Sequence, residues 1–412
     1  MYKLPQKSEK KNFIFNMLGS LTNAAVSVLL LIVVSNITKS AEISGSFSLA
    51  YSTAQMMYTI CVFEMRNIQV TDAKREFSFA SVSMFRILTI AAMWLFFAIF
   101  VTTKGYSGEK LYLMIILTAY MSLMSLSDLF QGNMHLNGYL SLAGKSLACE
   151  VALAAAGFTV ALIITKKPTI AAGFMIVAAM TWLLLYDIPF SNNFAKIRPK
   201  FDFNTQKRIF LYAIPLFLSS FAHQYIFNSP KYAIDSILSE TEQSHYGYLV
   251  MPVFCINLLS IFVFRPQLIT LSKNWAEKQL SAFKKTILKL YVWVVVVTAV
   301  ALIGGYFLGV PVLEMVYNAD LTGKRSMFMV LLFAGGFSAA STLTMTLFTT
   351  MRKQKLCLIA YAITFLFALT APQMMVKTWG IMGAALAYLC EMVLLFTVMF
   401  ISFVISIKRE RV

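Results

Sequence analysis

The sequence predicts an all-α polytopic membrane protein, with about 12 transmembrane helices in two six-helix bundles around a central cavity. Composition is the first observation behind this fold class. Hydrophobic residues make up 59% of the 412 residues and charged residues only 13%, and the mean hydropathy is +0.72. Soluble domains of this size do not have such a composition, so the chain is predicted to be an integral membrane protein.

The second observation is a series of long apolar runs. A helix of about 20 apolar residues crosses the hydrocarbon core, and lipid leaves backbone polar groups no other partners than the helix itself. A dozen runs of this kind are separated by short polar stretches. They lie near residues 13–36, 43–63, 86–103, 111–129, 145–165, 169–187, 209–228, 246–264, 287–309, 326–350, 356–376 and 381–407.

The third observation is the distribution of basic residues. The net charge is +17, and with the amino terminus inside, 26 of the 35 basic residues fall on inner segments. The positive-inside rule then places both termini in the cytoplasm. The outer segments keep Lys39, Lys104, Lys110, Lys166, Lys167, Lys231, Lys324, Arg325 and Lys377. No inner loop is long enough for a basic face with stacking aromatics, which argues against nucleic-acid binding.

A polar stretch near the middle of the chain indicates two halves. We predict an N-terminal lobe at 1–190, a cytoplasmic linker at 191–208 and a C-terminal lobe at 209–412. Each half has a glycine that opens its second span, Gly45 and Gly247, and an arginine at the cytoplasmic end of that span, Arg66 and Arg265. Internal repeats with a site between them are common in secondary transporters.

Two carboxylates lie inside apolar runs. Glu391 is near the middle of 381–407, and Glu150 is in the first turns of 145–165. A charge at membrane depth costs about 3 kcal/mol, so both are expected to face protein or a water-filled cavity, with an interhelical hydrogen bond as the plain alternative. Lys145 precedes Glu150 by five residues, and at about 100° per residue the two need not share a helix face.

Polar residues at the ends of spans leave alternatives open. Arg66 either anchors its helix at the cytoplasmic surface or forms a cationic rim for an anionic headgroup. Asp128 and Gln131 belong to a polar cluster at the inner end of the fourth span, which is either a solvated loop or a binding rim.

The seventh span carries His223 and Gln224, and shortly afterwards Lys231 and Asp235 at the spacing of a helical pair. These two charges lie at the outer interface if the span ends before Pro230. They project toward a cavity if the helix continues through that proline with a kink.

The ionisable residues favour transport over catalysis. No acid and base are paired in one large loop, so we predict that the protein is not an enzyme. The five cysteines and three histidines are scattered without metal-ligand spacing, and neither a metal nor a cofactor is expected.

Several motifs, in order along nearly the whole chain, resemble bacterial polysaccharide repeat-unit flippases. The residues that carry this resemblance are Gly45 and Phe47, Met65-Arg66-Asn67-Ile68-Gln69-Val70-Thr71-Asp72, Phe85-Arg86-Ile87-Leu88-Thr89, Ser127-Asp128-Leu129-Phe130-Gln131-Gly132, Ala143-Gly144-Lys145-Ser146, Pro230-Lys231-Tyr232-Ala233-Ile234-Asp235, Gly309, Pro311, Leu313 and Tyr317, and Gly380 with Gly383-Ala384-Ala385.

The resemblance implies a member of the multidrug, oligosaccharidyl-lipid and polysaccharide exporter superfamily, with two lobes arranged as a V. Its cargo would be a polyprenyl-diphosphate-linked oligosaccharide of the O-antigen, capsule or exopolysaccharide pathways. Membrane lipids, a polysaccharide polymerase and glycosyltransferases would be its partners. Carried onto this chain, Arg66, Lys145 and Arg265 become candidates for the diphosphate. Sugar or proton contacts are assigned to Asp128, Gln131, Glu150, His223, Gln224 and Glu391.

The chain departs from that family in places. Many relatives have an arginine near the outer end of the first helix, where this chain has Lys39, and basic or amide residues after the fourth helix, where it has His135 and Asn137. Two other functions remain open: a small-molecule or multidrug antiporter of the same superfamily, and a membrane-embedded polysaccharide polymerase or ligase. The sequence does not identify the sugar, the coupling ion or the oligomeric state.

Overall fold

A computed structural model describes residues 4, 8–72, 75–351 and 353–409. Within this part, the side chains at 258, 261, 262, 265, 266, 269 and 409 are not described. The described residues form helices and contain no strand. Contacts divide the chain into two compact units, Met1–Phe221 and Ala222–Val412. The lobes and linker expected from the sequence remain a prediction.

The first unit contains seven helices and the start of an eighth. They are α1 (Glu9–Thr38), α2 (Ala41–Val62), α3 (Met65–Thr71), α4 (Phe79–Lys104), α5 (Gly108–Leu136), α6 (Leu140–Thr165), α7 (Pro168–Ser191) and α8 (Phe203–Ile237). Serine side chains cap the amino ends of α1, α2 and α4, where Ser8, Ser40 and Ser78 accept from backbone N–H groups of the first turn.

The second unit contains the rest of α8 and five further helices. They are α9 (Glu240–Ala276), α10 (Leu280–Tyr317), α11 (Arg325–Thr350), α12 (Lys355–Ala368) and α13 (Ala371–Arg409). Helix α13 is interrupted at Gly380, whose φ of 58° and ψ of −142° suit glycine rather than a residue with a side chain. Helices α7 and α10 each contain one π-helical turn, Leu183–Asp187 and Gly305–Gly309.

Among the described residues, nine helices are long and apolar enough to cross a membrane. Helices α2 and α9 coincide with the predicted second and eighth spans, so the prediction of a multi-pass helical membrane protein is confirmed. The predicted eleventh span, 356–376, is wrong. The helix there ends at Ala368, and Ala371 begins the next one, with Pro372 in its first turn as proline prefers.

Close backbone contact holds the first unit together along one seam. Helix α1 packs on α6, where a Cβ on Gly19 would lie 2.6 Å from the Gly144 carbonyl oxygen. Small residues permit such approach inside a membrane. Helix α5 packs against α2, α3, α6 and α7, and this central position brings side chains from several helices to one place.

The second unit is built around α11. This helix packs against α9, α10 and α13, and α13 also packs on α12. Buried small residues line α11 where the neighbours approach, among them Gly335, Gly336 and Ala339. A Cβ on Gly336 would meet the Thr298 side chain at 2.6 Å.

Candidate functional site

A carboxylate shared by two arginines is the centre of the polar interior of the first unit. Asp128 on α5 accepts from Arg66 Nη1 through Oδ1 at 3.0 Å and from Arg86 Nη2 through Oδ2 at 2.9 Å. Such charge-assisted contacts are among the stronger hydrogen bonds in proteins. We call these three residues the arginine bridge.

The two arginines of the bridge differ in their surroundings. Arg86 has a side chain only 1% exposed, and its Nη1 donates to the Cys61 carbonyl oxygen at 2.7 Å. Thr89 donates to the same oxygen, also at 2.7 Å. Because α4 begins at Phe79, Arg86 lies two turns inside the helix, and its neighbours fix the guanidinium in place.

Arg66 is more accessible, with a side chain 26% exposed. It sits on the seven-residue helix α3, which follows two residues with left-handed backbone, Phe63 and Glu64. The Phe63 ring stacks on Phe217 with ring centroids 4.0 Å apart, and Ser220 donates to Glu64 at 2.5 Å. These contacts orient α3 so that Arg66 reaches α5.

Gln131 connects the arginine bridge to a second carboxylate. Its Oε1 accepts from Arg66 at 3.2 Å, and its Nε2 lies 3.2 Å from Ser146 Oγ and 3.4 Å from Glu150 Oε2. Glu150 is fully buried and also accepts from Ser127 at 2.7 Å. Glu150 therefore faces protein and not lipid, in an interhelical hydrogen-bond network.

A third carboxylate, Asp187, completes this network. Asp187 is the last residue of the π-helical turn of α7 and is fully buried, and the helix continues past it to Ser191. Ser146 donates to its Oδ1 at 2.5 Å, while Trp182 Nε1 donates to Ser146 at 3.1 Å. Asp187 Oδ2 is buried without a hydrogen-bond partner in the part of the chain that the structure describes. π-Helical turns often occur at functional sites.

The network thus holds two arginines and three carboxylates on α3 to α7. Arginine stays charged in proteins, so a positive centre at Arg66 and Arg86 persists under all ordinary conditions. No group of three or more His, Cys, Asp or Glu suited to a metal occurs among the described residues. The arrangement can bind an anion at Arg66 and can exchange protons among its carboxyl groups.

The second unit also buries a carboxylate, Glu391. This residue is fully buried, and its Oε1 accepts from Ser229 at 2.6 Å. Its Oε2 has no hydrogen-bond partner within the described ranges. The expectation that Glu391 avoids lipid agrees with this placement, and the contact that the structure gives it is an interhelical hydrogen bond.

The remaining predicted site residues lie apart from these two places. Lys145 is exposed, with its ammonium 4.3 Å from the Phe15 ring centroid, and so does not join Glu150. His223 lies 3.5 Å from the Tyr361 hydroxyl, and Gln224 is half-buried. The side chain of Arg265 lies outside the described residues.

The structure decides whether the seventh span ends before Pro230, and the projection of Lys231 and Asp235 toward a cavity stays a prediction. Helix α8 continues through Pro230 to Ile237. Lys231 is buried and Asp235 is half-buried, so neither simply extends from a helix end into the outer interface.

Sequence reasoning missed Arg86, Ser146 and Asp187 as members of the network. The predicted third span begins at Arg86 and the predicted sixth span ends at Asp187. A charged residue interrupts the apolar pattern, so the pattern alone places the end of a span there. The capping serine Ser78, eight residues before Arg86, was the available signal that this arginine lies inside the helix.

Comparisons with known proteins identify the fold. No protein-family model matches the sequence, and no curated protein matches it. Solved structures do match. The chain superposes on an inward-facing multidrug resistance MATE family transporter of the MOP superfamily with a TM-score of 0.67 and 12% identity, over 98% of each chain.

Two further structures show the same fold. For the lipid II flippase MurJ in an inward closed conformation, the TM-score is 0.69 and the identity 14%, over 95% of this chain and 87% of that one. For a MOP superfamily transporter from Pyrococcus furiosus, described as having a binding pocket of reversed polarity, the values are 0.56 and 14%, over 97% and 94%. Identities this low establish a shared fold and not a shared substrate.

Proposed function

We propose that this protein is a flippase that moves polyprenyl-diphosphate-linked oligosaccharide repeat units across the cytoplasmic membrane, with both termini in the cytoplasm. A diphosphate with several sugars does not cross about 30 Å of hydrocarbon unaided, because stripping water from its charges and hydroxyls is prohibitive. A protein interior with a fixed positive centre lowers that barrier. The protein transports its substrate and catalyses no bond cleavage.

The observation that carries the proposal is the arginine bridge. Two guanidinium groups converge within hydrogen-bond distance of one carboxylate, and the Arg66 side chain remains 26% exposed. Arginine suits phosphate recognition because its planar fork donates two parallel hydrogen bonds. The polar groups that continue from Arg66 to Gln131 and Glu150 offer partners for sugar hydroxyls. The lipid II flippase MurJ has the same fold, so the proposed lipid-linked cargo is compatible with this fold.

A multidrug transporter is the second candidate, and a specific observation favours it too. Glu150, Asp187 and Glu391 are buried carboxyl groups. Asp187 and Glu391 each have an oxygen without a hydrogen-bond partner among the described residues. Buried carboxylates attract organic cations. The fold is also that of a multidrug resistance MATE family transporter.

Reconstitution separates the two candidates. The purified protein is placed in liposomes with a fluorescent polyprenyl-diphosphate disaccharide, and transbilayer movement is followed by quenching with a membrane-impermeant reductant. We expect the wild type to flip the lipid and Arg66→Ala to reduce the rate by about tenfold or more, since one charge-assisted contact is worth about 1.5–3 kcal/mol.

The matched control is Arg208→Ala. Arg208 also pairs with a carboxylate of the first unit, Glu76, at 3.0 Å, but its side chain is 58% exposed and lies outside the network. This variant should flip at the wild-type rate. Equal rates for both variants, together with transport of tetraphenylphosphonium by the wild type, would reject the flippase in favour of the multidrug transporter.

A further inference from the structure

We propose that Asp128 is an internal competitor that sets the charge requirement of the Arg66 site, so that diphosphates bind and singly charged lipid headgroups do not. This inference rests on the proposed function, because it specifies which anions Arg66 accepts. In it, Arg86 is a positioning residue that holds Asp128 when a ligand takes Arg66.

The geometry of the arginine bridge provides the basis. Each oxygen of Asp128 contacts a different arginine, at 3.0 Å for Arg66 and 2.9 Å for Arg86. The side chain of Asp128 is 9% exposed, so both contacts are little screened by water. Arg66 Nη1 donates to both Asp128 and Gln131, so a ligand that binds this side of the guanidinium, next to the network, has to replace one contact of an already bound carboxylate.

The inequality of the two arginines makes this replacement feasible. Arg86 is buried and tied to the Cys61 carbonyl oxygen, whereas Arg66 is partly exposed on the short helix α3. When Arg66 turns to a ligand, Asp128 keeps its contact with Arg86 and is not left as an unpaired buried charge. Leaving such a charge unpaired is the expensive step in breaking buried ion pairs.

Charge then decides which ligands succeed. A phosphodiester headgroup carries one negative charge, the same as the carboxylate that it would replace, and gains no Coulomb energy from the exchange. A lipid diphosphate carries at least two and interacts more strongly with the same guanidinium. Anionic phospholipids surround any membrane protein, and a site without this threshold would be filled by them. Gln131, the other partner of Arg66, is neutral and orients the guanidinium without competing.

Binding measurements on four variants test this role. The full-length protein in detergent micelles is titrated by calorimetry with farnesyl diphosphate and with dihexanoyl phosphatidylglycerol, which carries one charge. The variants are D128N, R86Q and the double variant R86Q/D128N. The control is E76Q, an isosteric change at a carboxylate of the same unit that pairs with Arg208 outside the network.

We expect the wild type to bind the diphosphate at least about tenfold more tightly than the phosphatidylglycerol, a difference of about 1.4 kcal/mol. D128N should bind phosphatidylglycerol about tenfold more tightly than the wild type and lose most of this preference. R86Q should weaken diphosphate binding about tenfold, because Asp128 then has only Arg66 as a partner. Adding D128N to R86Q should restore it, and E76Q should keep the wild-type preference.

If D128N fails to fold because Arg86 loses its carboxylate, the double variant still provides the test. It removes both buried charges. An unchanged preference in D128N or in the double variant overturns the inference, and so does undiminished diphosphate binding by R86Q. The proposed function survives the failure of this inference if the wild type binds farnesyl diphosphate and Arg66→Ala abolishes that binding. Absence of diphosphate binding in the wild type and in D128N would reject both.

Discussion

Asp128 and Glu391 are both buried carboxylates on helices, but they have different hydrogen-bond partners. Asp128, in the first unit, makes contacts with two arginines and belongs to a network across α3 to α7. Glu391, in the second unit, has one contact, to Ser229, and a buried oxygen without a hydrogen-bond partner in the described part of the chain.

This difference shows that apolar helices can bury a carboxylate in two kinds of polar environment. Both units bury charge inside apolar helices, which is costly unless the charge is compensated. In the first unit two arginines compensate Asp128, whereas in the second unit a hydroxyl contacts Glu391 and no cation does so among the described residues. The proposed anion site therefore depends on the arginines of the first unit.

The largest expected effect comes from removing the charge of Asp128. Asp128→Asn leaves Arg86 buried without a carboxylate, and breaking a buried pair in this way costs about 3–5 kcal/mol of unfolding free energy. The measurement is unfolding in mixed micelles at increasing denaturant. The double variant Arg86→Gln with Asp128→Asn should recover most of the loss. A stability of Asp128→Asn equal to the wild type would show that the arginine bridge is electrostatically unimportant.

A smaller effect tests whether packing, rather than charge, holds the first unit. Gly144 lies at the seam between α1 and α6, where a Cβ would clash with the backbone carbonyl of Phe15. Gly144→Ala should cost about 1–3 kcal/mol of unfolding free energy, because backbone atoms cannot rotate away as a side chain can.

Gly173 provides the control for this substitution. It lies in the apolar helix α7 of the same unit, and a Cβ there would meet nothing within 4 Å. Gly173→Ala should be neutral or stabilising by up to about 1 kcal/mol, as expected for glycine in a helix interior. Equal effects at both positions would show that the seam is not tightly packed.

Much of the fold could be predicted because a backbone inside lipid has to satisfy its own hydrogen bonds, which long apolar runs do by forming helices. Apolar runs become helices, and the burial of Glu150 and Glu391 followed from their positions inside such runs. The break after Ala368 could not be located in the same way, since hydropathy does not register a turn between two apolar helices.

The candidate site was less accessible to sequence reasoning. Gln131 and Asp128 were found as a polar cluster, but which arginines they contact depends on how α3 and α4 pack on α5. Arg86 lies two turns inside its helix. Hydropathy alone places it at the membrane surface, because the apolar run begins there. Asp187 depends on a π-helical turn, for which no sequence signal was available.

The smallest effect is expected at Glu391. Glu391→Gln keeps the shape of the side chain and its acceptance from Ser229, and no cation contacts this buried acid among the described residues. Because one buried polar group replaces another in the same hydrogen bond, the free energy of unfolding should change by no more than about 1 kcal/mol.

Ser229→Ala sharpens this comparison by removing the hydroxyl instead. In the wild type this change leaves a second oxygen of the buried carboxyl group without a hydrogen-bond partner among the described residues, which costs about 1–3 kcal/mol. In the Glu391→Gln background the same change removes the bond to the amide oxygen and should cost a similar amount. A loss of 3 kcal/mol or more for Glu391→Gln, approaching that of Asp128→Asn, would mean that a cationic partner compensates Glu391 as well, and the contrast between the two units would then fail.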